Sequence, residues 1–326
     1  MRRREFIAFA GSAVAWPVAA SAQQAAPKRL VGLVTGLSEP ELKPLLAVFS
    51  ARLRDLGWNV GATITIDARA SGGDFERMSA DAASLVTAKA DVVVAMGTPA
   101  LNALRQHSRT VSTVFLLVAD PVGQGLINSL SRPGGNATGL TNFEFSIGGK
   151  WIELLKELDP TIRRVTLLTN PANANTKPFV DAISTEAQIN KVEIVVSSVR
   201  NREEIQSAIE SAAAKPGGSL VIFPDSLPLL HRELIVGESL RLKIPAMFPF
   251  RIFATSGGLV SYGLNISEVF HQTAEYTDKI LRGISPAELP VQAPNKFELV
   301  INLRTAKSLG LNISPTFIAR ADEVIE

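Results

Sequence analysis

Short apolar runs alternate with longer amphipathic segments along this chain of 326 residues. Continuous runs of Val, Ile and Leu are typical of strands buried on both faces of a parallel sheet, and their alternation with helical patterns indicates βαβ units. The strands predicted in the first half are residues 30–35, 63–68, 91–96, 113–119 and 137–141. The predicted helices between them lie near residues 41–56, 75–89, 100–107 and 122–130.

The second half repeats this plan. Its predicted strands are residues 164–168, 193–197, 220–223, 246–248 and 259–262, and its predicted helices lie near residues 147–158, 177–189, 202–214 and 229–242. The segment from Val31 to Val111 has the same length as the corresponding segment from Val165 to Pro245. The predicted fold class is therefore α/β, with two doubly wound parallel-sheet lobes. Ligands of open parallel sheets bind outside the carboxyl ends of the strands, so two facing lobes would line one cleft. A duplicated α/β enzyme would have the same geometry, so the fold alone leaves the function open.

The last segment departs from the repeat. Residues 267–282 predict an amphipathic helix, residues 297–303 a strand and residues 306–309 a short helix. We expect the long helix to return to the first lobe and the tail to return to the second, which gives a hinge of three crossings. The predicted N-terminal lobe is residues 28–143 plus 264–290, and the predicted C-terminal lobe is residues 144–263 plus 291–326.

Residues 1–22 are typical of a secretory signal peptide. Three arginines precede an apolar stretch at residues 6–20, and Ala20-Ser21-Ala22 is a small-x-small cleavage site. The stretch is shorter than the roughly 20 residues of a spanning helix, which favours a signal over a membrane anchor. Arg3-Arg4 also fits the twin-arginine pattern, so the general and twin-arginine routes both stay open. The predicted localisation is the periplasm.

Most catalytic and nucleic-acid-binding signatures are absent from the sequence. There is no cysteine, no P-loop, no dinucleotide fingerprint and no nucleophile elbow, and the three histidines are far apart. Without residues 1–22 the basic and acidic residues are equal in number, so the charge balance gives no support to nucleic-acid binding. We therefore expect no enzymatic activity, no cofactor, no metal and no nucleic-acid partner.

The candidate ligand-binding residues of the first lobe follow predicted strands. Gly36 follows the first strand, and Gly97-Thr98-Pro99 lies between the third strand and a helix. A helix start offers free N–H groups and a positive dipole end, which suits a carboxylate, although many βα turns share this composition. Asp120 follows the fourth strand, where it could accept a hydrogen bond from a ligand amine or cap the next helix.

The second lobe offers a matching set. Asn170 follows its first strand, and Asp225-Ser226 follows its third, where the carboxylate could pair with an ammonium group. Asn142 lies at the first crossing. The aromatic residues Phe248 and Tyr262 lie toward the cleft, where ligand stacking and a core or hinge role are both open. A few polar groups among apolar walls are what a small-molecule site needs.

Several blocks of the sequence carry a family resemblance. They are VGLVTG (31–36), LRDLGW (53–58), DVVVAMGTPA (91–100), VADPVGQGLI (118–127), SLSRPGGNATGLTNF (129–143), KWIELLKELDP (150–160), LLTNPAN (167–173), GGLVSYG (257–263), YTDKILRGISPAELPVQAPNKFELVINLRTAKSLGL (276–311) and ARADEVIE (319–326). With these blocks the chain resembles the ABC transporter substrate-binding proteins of the TrpX-like type.

The resemblance implies a type I periplasmic-binding-protein fold with the ligand enclosed between two lobes joined by a three-strand hinge. Some members resemble receptors for aromatic amino acids, which implies that the loops at Gly97-Thr98, Asp120 and Asp225-Ser226 hold the charged ends of the ligand. Amino-acid-binding members tend to have an Asp-Asn pair where this chain has Asp225-Ser226. The resemblance therefore leaves the solute open.

The function predicted from the sequence is that of a periplasmic solute-binding receptor. It would capture a small molecule, an aromatic or other amino acid among the candidates, and deliver it as a monomer to an ABC permease in the inner membrane. Two alternatives stay open: a ligand-sensing subunit for a membrane kinase, and a two-lobed periplasmic enzyme.

Overall fold

The computed structural model describes residues 28–118, 120–141, 146–171, 173, 176–293 and 296–326, without the side chain of Ser226. The first lobe is built on five parallel strands, β1 (Arg29–Thr35), β2 (Ile64–Ala70), β3 (Val92–Met96), β4 (Thr113–Val118) and β5 (Ala137–Thr141). Their order in the sheet is β2-β1-β3-β4-β5. The helices between them are α1 (Glu39–Asp55), α2 (Phe75–Thr87) and α3 (Thr98–His107).

The second lobe repeats this arrangement. Its repeated strands are β6 (Arg164–Thr169), β7 (Glu193–Ser198), β8 (Gly218–Ile222), β9 (Ala246–Phe248) and β10 (Val260–Leu264). Its helices are α4 (Ile147–Leu158), α5 (Thr176–Ile189), α6 (Arg202–Ala213), α7 (Ser226–Leu230), α8 (Arg232–Arg241) and α9 (Arg251–Thr255).

The C-terminal part of the chain serves both lobes. It comprises α10 (Ile266–Leu281), a 3-10 turn (Pro286–Glu288), β11 (Phe297–Asn302), α11 (Leu303–Ser308), α12 (Pro315–Ile318) and β12 (Glu323–Ile325). The long helix α10 packs on α1 of the first lobe, where Arg52 Nη2 donates to Glu275 at 2.7 Å and Trp58 Nε1 donates to Asp278 at 2.7 Å. Strand β11 joins the second sheet antiparallel to β10 and carries β12, giving the order β12-β11-β10-β9-β8-β6-β7.

The apolar runs are buried on both faces of the sheets, as the sequence predicts. In β3, Val92 and Val94 belong to the core on one face of the first sheet, whereas Val93 and Ala95 belong to the core on the other. Successive strand residues point to opposite faces, so an uninterrupted apolar run requires helices on both sides. The predicted α/β class with two doubly wound lobes is therefore confirmed.

Two helix predictions are wrong. Residues 122–130 form consecutive turns instead of a helix, because Asp120 takes a left-handed φ of 40° before Pro121 and Gly125 takes a φ of 65°. Glycine is also a poor helix former, and a second one stands at 123. The predicted helix at residues 229–242 is two helices, α7 and α8, which meet at His231.

The tail differs from prediction in its details. Strand β11 ends at Asn302, whose side chain accepts a hydrogen bond from the backbone N–H of Thr305 and so starts α11 earlier than the predicted residue 306. The short elements α9, α12 and β12 were not predicted, since segments of three to five residues carry too little periodicity. None of the described helices is long and apolar enough to cross a membrane.

The chain segments that connect the lobes run side by side. Thr141 N donates to Gln292 O at 2.9 Å, and Gln292 N donates to Gly139 O at 3.0 Å. Beside them, Asn265 caps the start of α10 by accepting from Glu268 N at 2.9 Å, and its amide donates to Glu298 Oε2 at 2.9 Å. The apolar core that contains Leu140 also contains Leu264, so the hinge region is packed.

Burial raises the pKa of Glu298 beside this hinge. The carboxylates of Asp322 and Glu323 push the pKa in the same direction, whereas Arg251 and the hydrogen bond from Asn265 oppose it. A raised folded-state pKa means that the folded chain holds the Glu298 proton more tightly than the unfolded chain. That contribution to stability is complete below the unfolded pKa and is lost as pH rises through the folded pKa.

We expect Glu298→Gln to stabilise the protein at neutral pH. Glutamine keeps an oxygen for the Asn265 amide and removes the buried charge, so the melting temperature at pH 7 should rise by about 2 °C. The gain should shrink toward zero below about pH 4, where both states carry a protonated Glu298. Thermal melts of wild type and variant from pH 3.5 to 8 measure this, with the exposed Glu157→Gln as control. A gain that is independent of pH would contradict the assignment.

Candidate functional site

Four of the predicted positions lie where the strand order of a sheet reverses: Gly36 and Gly97 after β1 and β3 of the first lobe, and Asn170 and Asp225 after β6 and β8 of the second. In the first lobe the chain runs outward in opposite directions from β1 and β3, and open α/β sheets form their ligand crevice at such a point. The end of β1 touches the end of β3 there, since Thr35 Oγ1 lies 3.3 Å from Met96 Sδ and accepts from Leu37 N at 3.2 Å. Gly36 and Gly97 each follow one of these two strands.

Helix α3 presents its N-terminus to this crevice. It begins at Thr98, two residues earlier than predicted, and Gly97 serves as its N-cap with a left-handed φ of 87°. Glycine has no capping side chain, and Pro99 has no N–H, so the backbone N–H groups of Thr98 and Ala100 head the helix. Thr98 is partly exposed and Pro99 is exposed. The arrangement suits an anionic group placed on the helix axis.

The second lobe brings Asn170 and Asp225 together. Asn170 follows β6 and Asp225 follows β8, the two neighbouring strands between which the strand order of the second sheet reverses. Asn170 Nδ2 donates to Asp225 Oδ1 at 3.0 Å, and the backbone N–H of Leu227 donates to the same oxygen at 2.9 Å. Asn173 Nδ2 donates to Asp225 Oδ2 at 2.8 Å. The carboxylate thus caps α7 and is held in one orientation by two amides.

Asn173 was not among the predicted site residues. It belongs to the Asn170-Pro171-Ala172-Asn173 segment after β6, and a second amide in a polar segment at the carboxyl end of a strand is the signal that could have identified it. Of the other second-lobe predictions, Ser226 is the first residue of α7. Asn142 lies outside the described residues.

Asp120 holds its own turn. Its Oδ1 accepts from Gly123 N at 2.8 Å, and a Cβ on Gly123 would lie 2.0 Å from its Oδ2. The sequence left two roles open for Asp120, a ligand contact and a cap. The structure shows a capping interaction, which closes a turn and does not start a helix. The residue is exposed on the side of the lobe where the strands end.

The two aromatic candidates differ in their surroundings. Phe248 is fully buried, and its ring stacks on Phe253 with centroids 4.9 Å apart. Of the two roles that the sequence left open for Phe248, this burial favours the core role. Tyr262 is partly exposed, its ring stacks on Phe297 at 6.0 Å, and its backbone oxygen accepts from Trp151 Nε1 at 2.7 Å. Tyr262 is the aromatic candidate that keeps an open surface.

Two contacts bring the strand-end loops of the lobes face to face. Glu41 on α1 forms an ion pair with Arg232 on α8. Leu230 packs over Gly73, with its Cδ2 3.4 Å from where a Cβ on Gly73 would stand. Among the residues that the structure describes, no group of three His, Asp or Glu side chains could hold a metal ion. Two lobes with facing strand-end loops are typical of the class of proteins that bind a small molecule between their lobes.

Comparison with known proteins agrees with this class. The family described as ABC transporter substrate binding protein matches residues 31–325, and the chain belongs to that family. A tyrosine-binding protein of Clostridioides difficile (strain R20291) is 28% identical over 287 residues, covering 86% of this chain and 81% of the relative. The protein is thus an extracytoplasmic solute-binding protein of an ABC importer and not an enzyme, as the sequence predicts.

Two solved structures share the fold at 24% identity. The ABC domain from Streptococcus pneumonia in complex with L-Trp has a TM-score of 0.84 and covers 91% of this chain and 100% of its own. The ligand-free, open structure of a substrate-binding protein with adhesive properties from Clostridium difficile has a TM-score of 0.69 and covers 91% of this chain and 99% of its own. This chain is therefore more similar in overall shape to the L-Trp complex.

Proposed function

We propose that the solute of this protein is an aromatic L-amino acid, held by its two charged ends between the lobes. The observation that carries the proposal is the pairing of an N–H-rich helix end in the first lobe with a fixed carboxylate in the second. A relative's tyrosine and a neighbour's L-Trp fit the same chemistry. The proposal concerns the solute; binding as such follows from the family.

The start of α3 would take the carboxylate of the amino acid. The N–H groups of Thr98 and Ala100 and the positive end of the helix dipole favour a negative group there. The Thr98 hydroxyl adds a further donor, and Gly36 at the neighbouring strand end would contact the solute through its backbone. The first turn of α3 contains no acidic residue, so no carboxylate of that turn competes with the solute for these N–H groups.

Asp225 would take the ammonium group. An ionised carboxylate accepts about four hydrogen bonds. Three come from Asn170, Asn173 and Leu227, which leaves capacity for a donor from the solute. Because the two amides fix the carboxylate before the solute arrives, little ordering is needed on binding. Tyr262 would contact the aromatic ring.

Transport would then follow from closure. A solute that contacts both lobes favours the closed arrangement by its differential affinity. We propose that the lobes are residues 28–143 plus 264–290 and residues 144–263 plus 291–326. The protein would act as a monomer in the periplasm, after removal of residues 1–22 by the general or twin-arginine route, and would deliver the solute to an inner-membrane permease. Asn142, Asp120 and Ser226 stay as candidate contacts.

Melting and calorimetric titration of the mature protein test the proposal. We expect L-tyrosine or L-tryptophan to raise the melting temperature, since a ligand at about 100 times its Kd stabilises by about 2.7 kcal/mol. Tyramine, which lacks the carboxylate, and 3-(4-hydroxyphenyl)propionate, which lacks the amine, should bind at least about 100-fold more weakly. Equal binding of the analogues, or no effect of any aromatic amino acid, would contradict it.

A further inference from the structure

We propose that the ion pair between Glu41 and Arg232 holds the two lobes together on the cleft side, beside the apolar contact of Leu230 with Gly73, and that it sets the rate of solute release. It acts across a single gap, from the start of α1 in the first lobe to the start of α8 in the second. The inference rests on the binding function but not on the identity of the solute.

Glu41 is oriented before the lobes meet. It is the third residue of α1, and its Oε2 accepts from both the backbone N and the Oγ of Ser38, at 2.9 and 2.6 Å. This capping box is local to the first lobe and fixes the side chain whether or not the second lobe is near. Its other oxygen, Oε1, is thereby left to Arg232. Closure therefore orders only the arginine side chain.

The position of the pair distinguishes it from the other ion pairs. Between the described residues, a second ion pair that joins the lobes, Lys296 with Glu268 at 4.0 Å, lies at the hinge. Contacts at a hinge persist through rotation, whereas a contact on the cleft side exists only when the lobes are together. An interaction made in one state alone shifts the equilibrium toward that state by its whole free energy.

Burial makes the pair stronger than an ordinary surface ion pair. The Glu41 side chain is 12% exposed and that of Arg232 is 21% exposed, so solvent screens their attraction only in part. Two features limit its strength. The Arg232 Nε is buried with no hydrogen-bond partner in the described part of the chain, and both charges lose water on closure. A contact of moderate strength is what a receptor that must reopen requires.

Glu41→Gln isolates the charge. Glutamine at the third helix position keeps the capping box, so the start of α1 is preserved while the attraction to Arg232 is lost. Arg232→Gln removes the other partner, and Arg232→Lys keeps a positive charge. The matched control is Glu238→Gln on α8, which breaks an ion pair with Arg241 inside one helix. Melting curves establish that each variant folds.

Pulsed electron–electron double resonance between two spin labels, one on each lobe, measures directly how far apart the lobes are. The chain has no cysteine, so spin labels can be placed at Ser84→Cys on α2 and Ser207→Cys on α6, both exposed. Short label distances report molecules with the lobes together, and long distances report molecules with the lobes apart. In the absence of solute, we expect the ratio of short to long distances to fall about 5- to 10-fold in Glu41→Gln and Arg232→Gln, with no further fall in the double variant. The ratio in Arg232→Lys should lie between that of these variants and that of wild type, and the ratio in Glu238→Gln should equal that of wild type.

Salt supplies a second readout. The screening length shortens from about 10 Å at 0.1 M to about 3 Å at 1 M, so high salt should lower the wild-type ratio and leave Glu41→Gln nearly unchanged. Equal ratios in wild type and Glu41→Gln, including a wild type that is entirely open, would overturn the proposal.

Titration of the same labelled proteins with L-tyrosine separates the two proposals. If L-tyrosine closes the wild type, its dissociation from Glu41→Gln should be about 10-fold faster, equivalent to about 1.4 kcal/mol. An unchanged dissociation rate would count against the pair as the determinant of release. If L-tyrosine does not close the wild type, the proposed solute is wrong, and the comparison without solute still decides the role of the pair.

Discussion

Replacing Gly263 with alanine is expected to lower the melting temperature by about 5 °C or more, from a loss of about 3 kcal/mol or more. A Cβ at this position in β10 would lie 1.7 Å from the carbonyl oxygen of Pro249 and 2.8 Å from its carbonyl carbon. The obstacle is backbone, which cannot rotate away as a side chain can. Relief of the overlap requires β10 to move away from the segment after β9, which would break the packing beside Tyr262.

Gly237→Ala is the matched control for this substitution. Gly237 lies in the interior of α8 and is exposed, and a Cβ added there would meet no heavy atom of the described residues within 4 Å beyond its own helix backbone. Alanine there should stabilise the helix by about 0.5–1 kcal/mol, because glycine has the higher backbone entropy to lose. Chemical denaturation measures the free energy of unfolding of both variants. If the close approach at Gly263 destabilises the alanine variant, this free energy should fall in Gly263→Ala and rise in Gly237→Ala. A Gly263→Ala protein that melts within about 2 °C of wild type would contradict this account.

The strands could be predicted because their signal is local. An uninterrupted apolar run such as residues 92–95 has only one satisfactory environment, a sheet covered on both faces. The break between α7 and α8 at His231 could not be predicted, since the sequence on either side is compatible with one continuous helix. The turns at residues 121–128 were missed for a related reason. Apolar residues there recur at helical spacing, and the left-handed backbone at Asp120 is not visible in the sequence.

The candidate site divides in the same way. Asn170 and Asp225 were predicted because each follows a strand, and parallel strands bring their carboxyl ends to one edge. Phe248 follows the same rule and is nevertheless buried, since the position along the chain does not fix the face to which a ring points. The pairing of Glu41 with Arg232 joins residues 191 positions apart in different lobes, and it has no local sequence signal at all.

Exchange of Asp225 for asparagine is expected to weaken solute binding by about 100-fold or more while the second lobe stays folded. Asparagine is nearly the same size and keeps an oxygen for the Leu227 N–H and the Asn170 amide, but it loses the negative charge and turns an NH₂ group toward the NH₂ of Asn173. Removing the charged partner of a desolvated ammonium costs about 2–5 kcal/mol, which is the basis of the expected loss.

Calorimetric titration with L-tyrosine measures the Asp225 effect, and Asp159→Asn controls for it. Asp159 lies in the same lobe at the opposite end of β6, where its Oδ1 accepts from the Thr161 N–H at 2.8 Å and hydroxyl at 2.6 Å. It thus also holds a turn through a carboxylate but does not face the cleft, so its exchange should leave the affinity unchanged. Wild-type affinity in Asp225→Asn would mean that this carboxylate only caps α7, because a neutral side chain of the same shape would then serve the solute equally well.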